Sequence, residues 1–164
     1  MSDGFKGSCL CGSVRFESTS APQIVGHCHC EDCRKSSGTG HCTHIMVPED
    51  TFTVTGEVRF YDRPADSGSL VSQGFCPTCG SPLYSTNSAM EGVVVVRASV
   101  LDDPNVITPQ LMVYAAQATD WDPPDRTLNV YDEMPDGGHG WAGLSGQLGR
   151  LKAPQGPIGA VPCH

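Results

Sequence analysis

The sequence predicts a mainly β fold built from several small, coiled antiparallel sheets with little helix. Three observations carry that prediction. First, the 164 residues include 19 glycines and 13 prolines, about a fifth of the chain against a usual ~12%. A chain so rich in turn formers cannot sustain a helical bundle. Second, its apolar residues recur in short alternating runs rather than at helical spacing. Third, seven of its nine cysteines fall into three tight groups able to staple such strands together.

The elements follow in chain order. Val14-Arg15-Phe16-Glu17 alternates apolar and polar residues as a half-buried strand does. Phe52-Thr53-Val54-Thr55 repeats the pattern, and Gly56-Glu57 leads into Val58-Arg59-Phe60-Tyr61, so this stretch reads as a hairpin. The Val-rich run from Gly92 to Val100 predicts a strand buried on both faces, and Leu111-Met112-Val113-Tyr114 a further one. The best place for a short helix is Cys30 to Ser36, with Gly38 ending it. From Pro135 onward glycine and proline dominate and apolar residues thin out. The domain reading is therefore a two-metal domain over 1–136 and a Gly/Pro-rich C-terminal arm over 137–164.

Charge and cysteine usage narrow the function. Ten basic against 18 acidic residues leave a net charge of −8. That balance argues against nucleic-acid or anionic-membrane partners, which are recruited by clustered Lys and Arg. The longest aliphatic run, Val93 to Val96, is far short of the ~18 residues that span a bilayer. The first residues carry no apolar signal region, and the thiol count is odd. Both features point to metal binding in a reducing compartment, so a cytoplasmic location is expected.

The cysteine groups are Cys9-Leu10-Cys11, Cys28-His29-Cys30-Glu31-Asp32-Cys33 and Cys76-Pro77-Thr78-Cys79. In an extended segment residues i and i+2 point the same way, so Cys9 and Cys11 can face one ion. In the third group Pro77 pre-sets a tight turn, and Gly80 can turn the backbone N–H groups towards the sulfurs; this is a zinc knuckle. A structural zinc takes four thiolates, so Cys9, Cys11, Cys76 and Cys79 make one closed site. Cys28, Cys30 and Cys33 remain as a set of three, the usual protein ligand count of a reactive zinc with an open position. Cys42, His41 or His44 could instead close that second site. Two zinc ions per chain are thus expected. Cys163, in the C-terminal arm, and Cys42 read otherwise as idle thiols.

Zinc on three thiolates carries a net negative charge and is a poor Lewis acid, which disfavours hydrolysis. It still holds an incoming thiol as thiolate at neutral pH, a site suited to making or breaking sulfur–carbon bonds. Arg34 and Lys35 directly follow Cys33 and are candidates to hold a substrate carboxylate. His27 and His29 alternate with Cys28 and Cys30, so they point away from the metal. His41 and His44 follow the Gly-rich turn and are candidate proton shuttles.

These motifs resemble a known family. Gly7-Ser8-Cys9-Leu10-Cys11-Gly12-Ser13-Val14-Arg15-Phe16-Glu17, His27-Cys28-His29-Cys30 to Cys33-Arg34-Lys35-Ser36-Ser37-Gly38, Gly74-Phe75-Cys76-Pro77-Thr78-Cys79-Gly80-Ser81-Pro82-Leu83 and Leu101-Asp102-Asp103-Pro104 look like the glutathione-dependent formaldehyde-activating enzymes, a family that includes centromere protein V. The resemblance covers about residues 5–135. It implies a mainly β fold, a structural zinc on Cys9, Cys11, Cys76 and Cys79, and a catalytic zinc on Cys28, Cys30 and Cys33. It also implies condensation of glutathione with formaldehyde to S-hydroxymethylglutathione, a carbon–sulfur lyase activity. Gln73 departs from the basic residue often found before Gly-Phe-Cys in the family. The alternative reading is a non-catalytic, zinc-stabilised binding or chaperone-like module.

Overall fold

The computed structural model describes residues 4–135. The C-terminal arm over 137–164, with Cys163, lies outside the described residues. Eleven strands are found among those described: β1 (Phe5–Ser8), β2 (Arg15–Ser18), β3 (Ile24–Cys28), β4 (Cys42–Pro48), β5 (Phe52–Thr55), β6 (Arg59–Pro64), β7 (Leu70–Phe75), β8 (Pro82–Asn87), β9 (Val93–Arg97), β10 (Leu111–Val113) and β11 (Asn129–Val130). The α-helix α1 (Glu31–Ser37) and four single 3-10 turns complete the secondary structure. The mainly β class expected from the turn-rich composition is the class observed.

The strands form a three-stranded sheet, in order β1-β2-β5, and an eight-stranded sheet, in order β11-β10-β3-β4-β9-β8-β7-β6. Most neighbours are antiparallel. The exceptions are β10, which runs parallel to β3, and β11, which runs parallel to β10. The strand at the centre of the large sheet explains the architecture. Along β4, Ile45 and Val47 point to one face and Met46 to the other, and β9 alternates likewise with Val94 and Val96 against Val95. The large sheet is therefore apolar on both sides, as a run of β-branched residues buried on both faces requires.

One core lies between the two sheets. There Phe5, Phe16, Val25, Ile45, Val47, Leu83, Val94 and Val96 pack together with the sulfur-bearing Cys9 and Cys76. Aromatic rings link the sheets: Phe16 and Phe52 have centroids 5.4 Å apart, and Phe52 meets Tyr84 of the large sheet at 5.2 Å. The second core covers the opposite face and contains Ile24, Met46, Val95, Leu111 and Val113 with Cys28, Cys33 and Cys42. Each fully buried aliphatic side chain contributes about 1.5–3 kcal/mol of transfer free energy.

The hairpin expected over Phe52 to Tyr61 does not form. β5 pairs with β2, placing Phe16 opposite Val54, whereas β6 pairs with β7, placing Phe60 opposite Gly74. The chain leaves one sheet for the other at Gly56, whose φ of +100° suits glycine and whose missing Cβ would stand 2.2 Å from the Ser13 carbonyl oxygen. Alternation records which residues are buried, but not the strand that buries them. Here Phe52 packs against Phe16, and Phe60 lies over the bare backbone of Gly74. By contrast, the helix ends where expected, at Gly38 with φ +76°.

Candidate functional site

The first and third cysteine groups meet at one end of the two-sheet sandwich. Cys9, Cys11, Cys76 and Cys79 each bring a sulfur within 4.8 Å of the other three. Both segments turn back on themselves through a left-handed glycine, Gly12 at φ +76° and Gly80 at φ +75°. Gly12 N–H donates to the Cys9 carbonyl at 2.9 Å, and Gly80 N–H donates to the Cys76 carbonyl at 2.9 Å. Val14 N–H donates to Cys9 Sγ at 3.2 Å. Ser81 joins the two turns, because its hydroxyl accepts from Leu10 N–H at 3.0 Å and lies 3.2 Å from Cys79 Sγ. That hydroxyl holds the Cys79 thiol down at about 5.

The Cys9 and Cys11 sulfurs are 3.5 Å apart, and those of Cys11 and Cys76 3.8 Å. The edge of a tetrahedron with Zn–S near ~2.3 Å is ~3.8 Å, so these two separations match the donor spacing of a four-thiolate zinc.

The second cysteine group lies on the opposite face of the large sheet. Cys28 ends β3, Cys30 caps α1, and Cys33 sits one turn into it, with Cys33 N–H directed at Cys30 Sγ at 3.4 Å. Their three sulfurs lie within 4.8 Å of one another. Contact with the Cys28 and Cys33 thiols pushes Cys30 down to about 2, while the same contacts push Cys28 and Cys33 up. Crowding of three sulfurs favours ionisation of one at the expense of the other two. A dication would let all three ionise, and this donor set suits one. His44 Nε2 lies 3.3 Å from Cys33 Sγ, and burial pushes that imidazole down to about 3.

These sulfurs open onto a pocket of about 580 Å³. Its wall includes Arg63, Gln73, Asn87, Arg97 and Tyr114. Arg63 extends from β6 and pairs with Asp32 of α1 at 2.6 Å. Arg97 is buried at the end of β9, donates to Ser36 Oγ at 3.0 Å and contacts Cys42 Sγ. Tyr114 has φ +56° and ψ +38°, the one positive-φ residue other than glycine among those described. A left-handed aromatic residue is strained by about 1–3 kcal/mol, and such strain concentrates at functional sites.

The two cations offered by the sequence stand elsewhere. Lys35 is exposed and pairs with Glu31 at 2.7 Å, and neither it nor Arg34 forms part of the pocket wall. On a helix each successive side chain is rotated by about 100°, so residues adjacent to Cys33 in sequence need not share its face. Arg63, Arg97 and Tyr114 escaped the sequence reading because each arrives from a distant strand. The hydropathy break at Arg97, a cation closing a valine run, was the one available signal.

The histidines also divide. His44 shares the face of Cys28, consistent with its register opposite Gly26. His27 stands opposite Thr43 and donates to or accepts from its hydroxyl at 2.9 Å, on the other face. His41 is on that same far side, its ring 4.6 Å from that of His27 and 4.9 Å from that of His29. It lines a second pocket, of about 570 Å³, rather than the one beside the three sulfurs. Cys42 is occupied by Arg97 and stands outside the three-sulfur group.

Comparison with known proteins completes the picture. The family model described as "Glutathione-dependent formaldehyde-activating enzyme" matches residues 4–117. A protein of Halomonas elongata named "Putative glutathione-dependent formaldehyde-activating enzyme" is 33% identical over 102 residues, which span 59% of this chain and 65% of the relative. This chain therefore aligns with less than two thirds of that relative's length. A crystal structure of a Rhodobacter sphaeroides protein is 19% identical, covers 63% of this chain and 91% of its own, and superposes with a TM-score of 0.49.

Proposed function

Because the chain belongs to the glutathione-dependent formaldehyde-activating enzyme family, we propose that it joins a glutathione-like thiol to a formaldehyde-like carbonyl carbon, and releases them again, at the three-cysteine pocket. The observation that carries this reading is the grouping of Cys28, Cys30 and Cys33 within 4.8 Å at the floor of an open pocket of about 580 Å³. A zinc ion held by those three sulfurs would supply the acidity that keeps an incoming thiol deprotonated at neutral pH. A second zinc, on Cys9, Cys11, Cys76 and Cys79, would serve the fold.

The remaining work falls to side chains. Arg63 gives one guanidinium nitrogen to Asp32 and keeps further N–H donors for a substrate carboxylate. The Asp32 pairing fixes the direction of that fork. Gln73 and Asn87 add neutral donors on the same wall. In condensation the sulfur pair attacks the carbonyl carbon, a C–S bond forms, and the C=O π pair moves onto oxygen. The Tyr114 hydroxyl gives that oxygen its proton and recovers one from solvent, which received the proton the thiol lost. The sum is thiol plus aldehyde to hydroxymethyl thioether, with nothing oxidised or reduced.

The test is exchange spectroscopy by ¹³C NMR on labelled formaldehyde with glutathione. The reading expects faster exchange between free and thiol-bound carbon with the protein present, and loss of that effect in Cys30→Ser. Equal exchange with and without protein would leave the zinc-stabilised binding module as the better description.

A further inference from the structure

We propose that His29, His41 and Asp122 form a separate metal site, for a divalent first-row transition ion held by two imidazoles and one carboxylate. The residues lie on the side of the β3 segment away from the three sulfurs. Because successive side chains point to opposite faces, the stretch from His27 to Cys30 presents thiols one way and imidazoles the other.

A ring nitrogen of each histidine and a carboxylate oxygen of Asp122 lie within 4.8 Å of one another. His29 is fully buried, yet neither of its ring nitrogens has a hydrogen-bond partner among the described residues. Leaving such a group unsatisfied costs about 1–3 kcal/mol, so a buried imidazole facing another imidazole and a carboxylate calls for an occupant. His41 Nδ1 and Asp122 Oδ2 are 2.6 Å apart, with side chains only 29% and 24% exposed.

The local backbone also makes room for the carboxylate. At Gly40 a Cβ would stand 2.2 Å from Asp122 Oδ2. Any larger residue there would push the carboxylate off His41. The contact spans 81 residues of sequence, tying the turn after α1 to the segment after the last 3-10 turn.

The chemistry selects the class of ion. Two imidazoles and a carboxylate suit zinc, iron(II) or cobalt(II), with bonds near ~2.0–2.2 Å, rather than the all-oxygen shells of calcium and magnesium. Three protein ligands leave a position open. The pocket of about 570 Å³ beside His41 and Asp122, walled by Trp121, Ile107 and Pro109, is where a small ligand would reach it.

The site is tested by adding Co²⁺ to the full-length protein already loaded with zinc. The proposal expects one further equivalent to bind with micromolar or tighter affinity, giving visible d–d bands without sulfur-to-cobalt charge transfer. Bound Co²⁺ should slow carbethoxylation of His41 by diethyl pyrocarbonate, read by peptide mass spectrometry. Asp122→Asn, which replaces the anionic carboxylate with a weaker neutral amide, should weaken binding by about 100-fold, with thiolate-bound zinc retained. Gly40→Ala keeps every ligand but displaces Asp122, and should weaken binding in the same direction. Absence of sulfur-free cobalt bands in the wild-type protein overturns the proposal. Unchanged affinity in a folded Asp122→Asn or Gly40→Ala protein does so too, and unprotected His41 is equally decisive if both variants misfold.

Discussion

Cys11 Sγ and Cys76 Sγ lie 3.8 Å apart although 65 residues separate them in the chain. This contact ties the loop between β1 and β2 to the loop between β7 and β8, one from each sheet. The two sheets are therefore held at one end by sulfur and along their length by the Phe16–Phe52–Tyr84 stack.

If a zinc ion occupies that corner, Cys76→Ser should unfold the protein. Structural zinc contributes on the order of 10 kcal/mol of apparent binding energy, comparable with the whole stability of a domain. Far-ultraviolet circular dichroism should lose its strand signal and the thermal transition should disappear. A cooperative transition within a few degrees of wild type would show that the corner does not hold the fold.

Cys30→Ser should behave differently. Serine is a good helix N-cap, so Cys33 N–H keeps an acceptor and α1 survives. The expected outcome is a folded protein that binds one zinc fewer and no longer accelerates thiol–formaldehyde exchange. Metal analysis and NMR on the same sample read both effects together.

The cations around the pocket separate adjacency in sequence from adjacency in space. Arg63→Gln should raise KM for glutathione about tenfold, the loss of roughly 1.4 kcal/mol of binding, with kcat little altered. Arg34→Ala and Lys35→Ala should leave KM within about twofold, since neither side chain lines the pocket. Steady-state kinetics across the three variants would decide between Arg63 and the Arg34–Lys35 pair.

Tyr114→Phe removes the hydroxyl and keeps the ring against the Cys28 and Cys33 core. As the proposed proton donor, its loss should lower kcat by about 100-fold or more, the ordinary size of general acid catalysis. KM and thermal stability should hold. A kcat near wild type would transfer that role to solvent.

Two glycines test the packing. At Gly7 a Cβ would meet the Val100 carbonyl oxygen at 2.2 Å and the Phe16 ring at 2.4 Å. Gly7→Ala should therefore cost about 1–3 kcal/mol by forcing backbone apart. Gly68, with φ +83° and open space around it, should lose only about 1 kcal/mol as alanine, from backbone strain alone. Urea denaturation of both variants measures the contrast.

The sequence by itself determined the fold class, the boundary of α1 at Gly38, and which seven cysteines assemble into which two groups. The first two are local, since turn formers and burial alternation act within a few residues; the pairing of Cys9 and Cys11 with Cys76 and Cys79 spans 65 residues and was legible only because a structural zinc takes four ligands. The alternating runs over Phe52–Thr55 and Val58–Tyr61 were legible as strands, yet their sheets were not. Strand pairing is settled by competition among all apolar faces, and β2 and β7 offered better ones. Tertiary structure alone brought Arg63, Arg97 and Tyr114 to the pocket of the three sulfurs, left Arg34 and Lys35 off its wall, and set His41 against Asp122 across 81 residues. Each of those placements depends on a side chain from a remote strand or loop arriving at a fixed depth and angle, which only the packed core can impose.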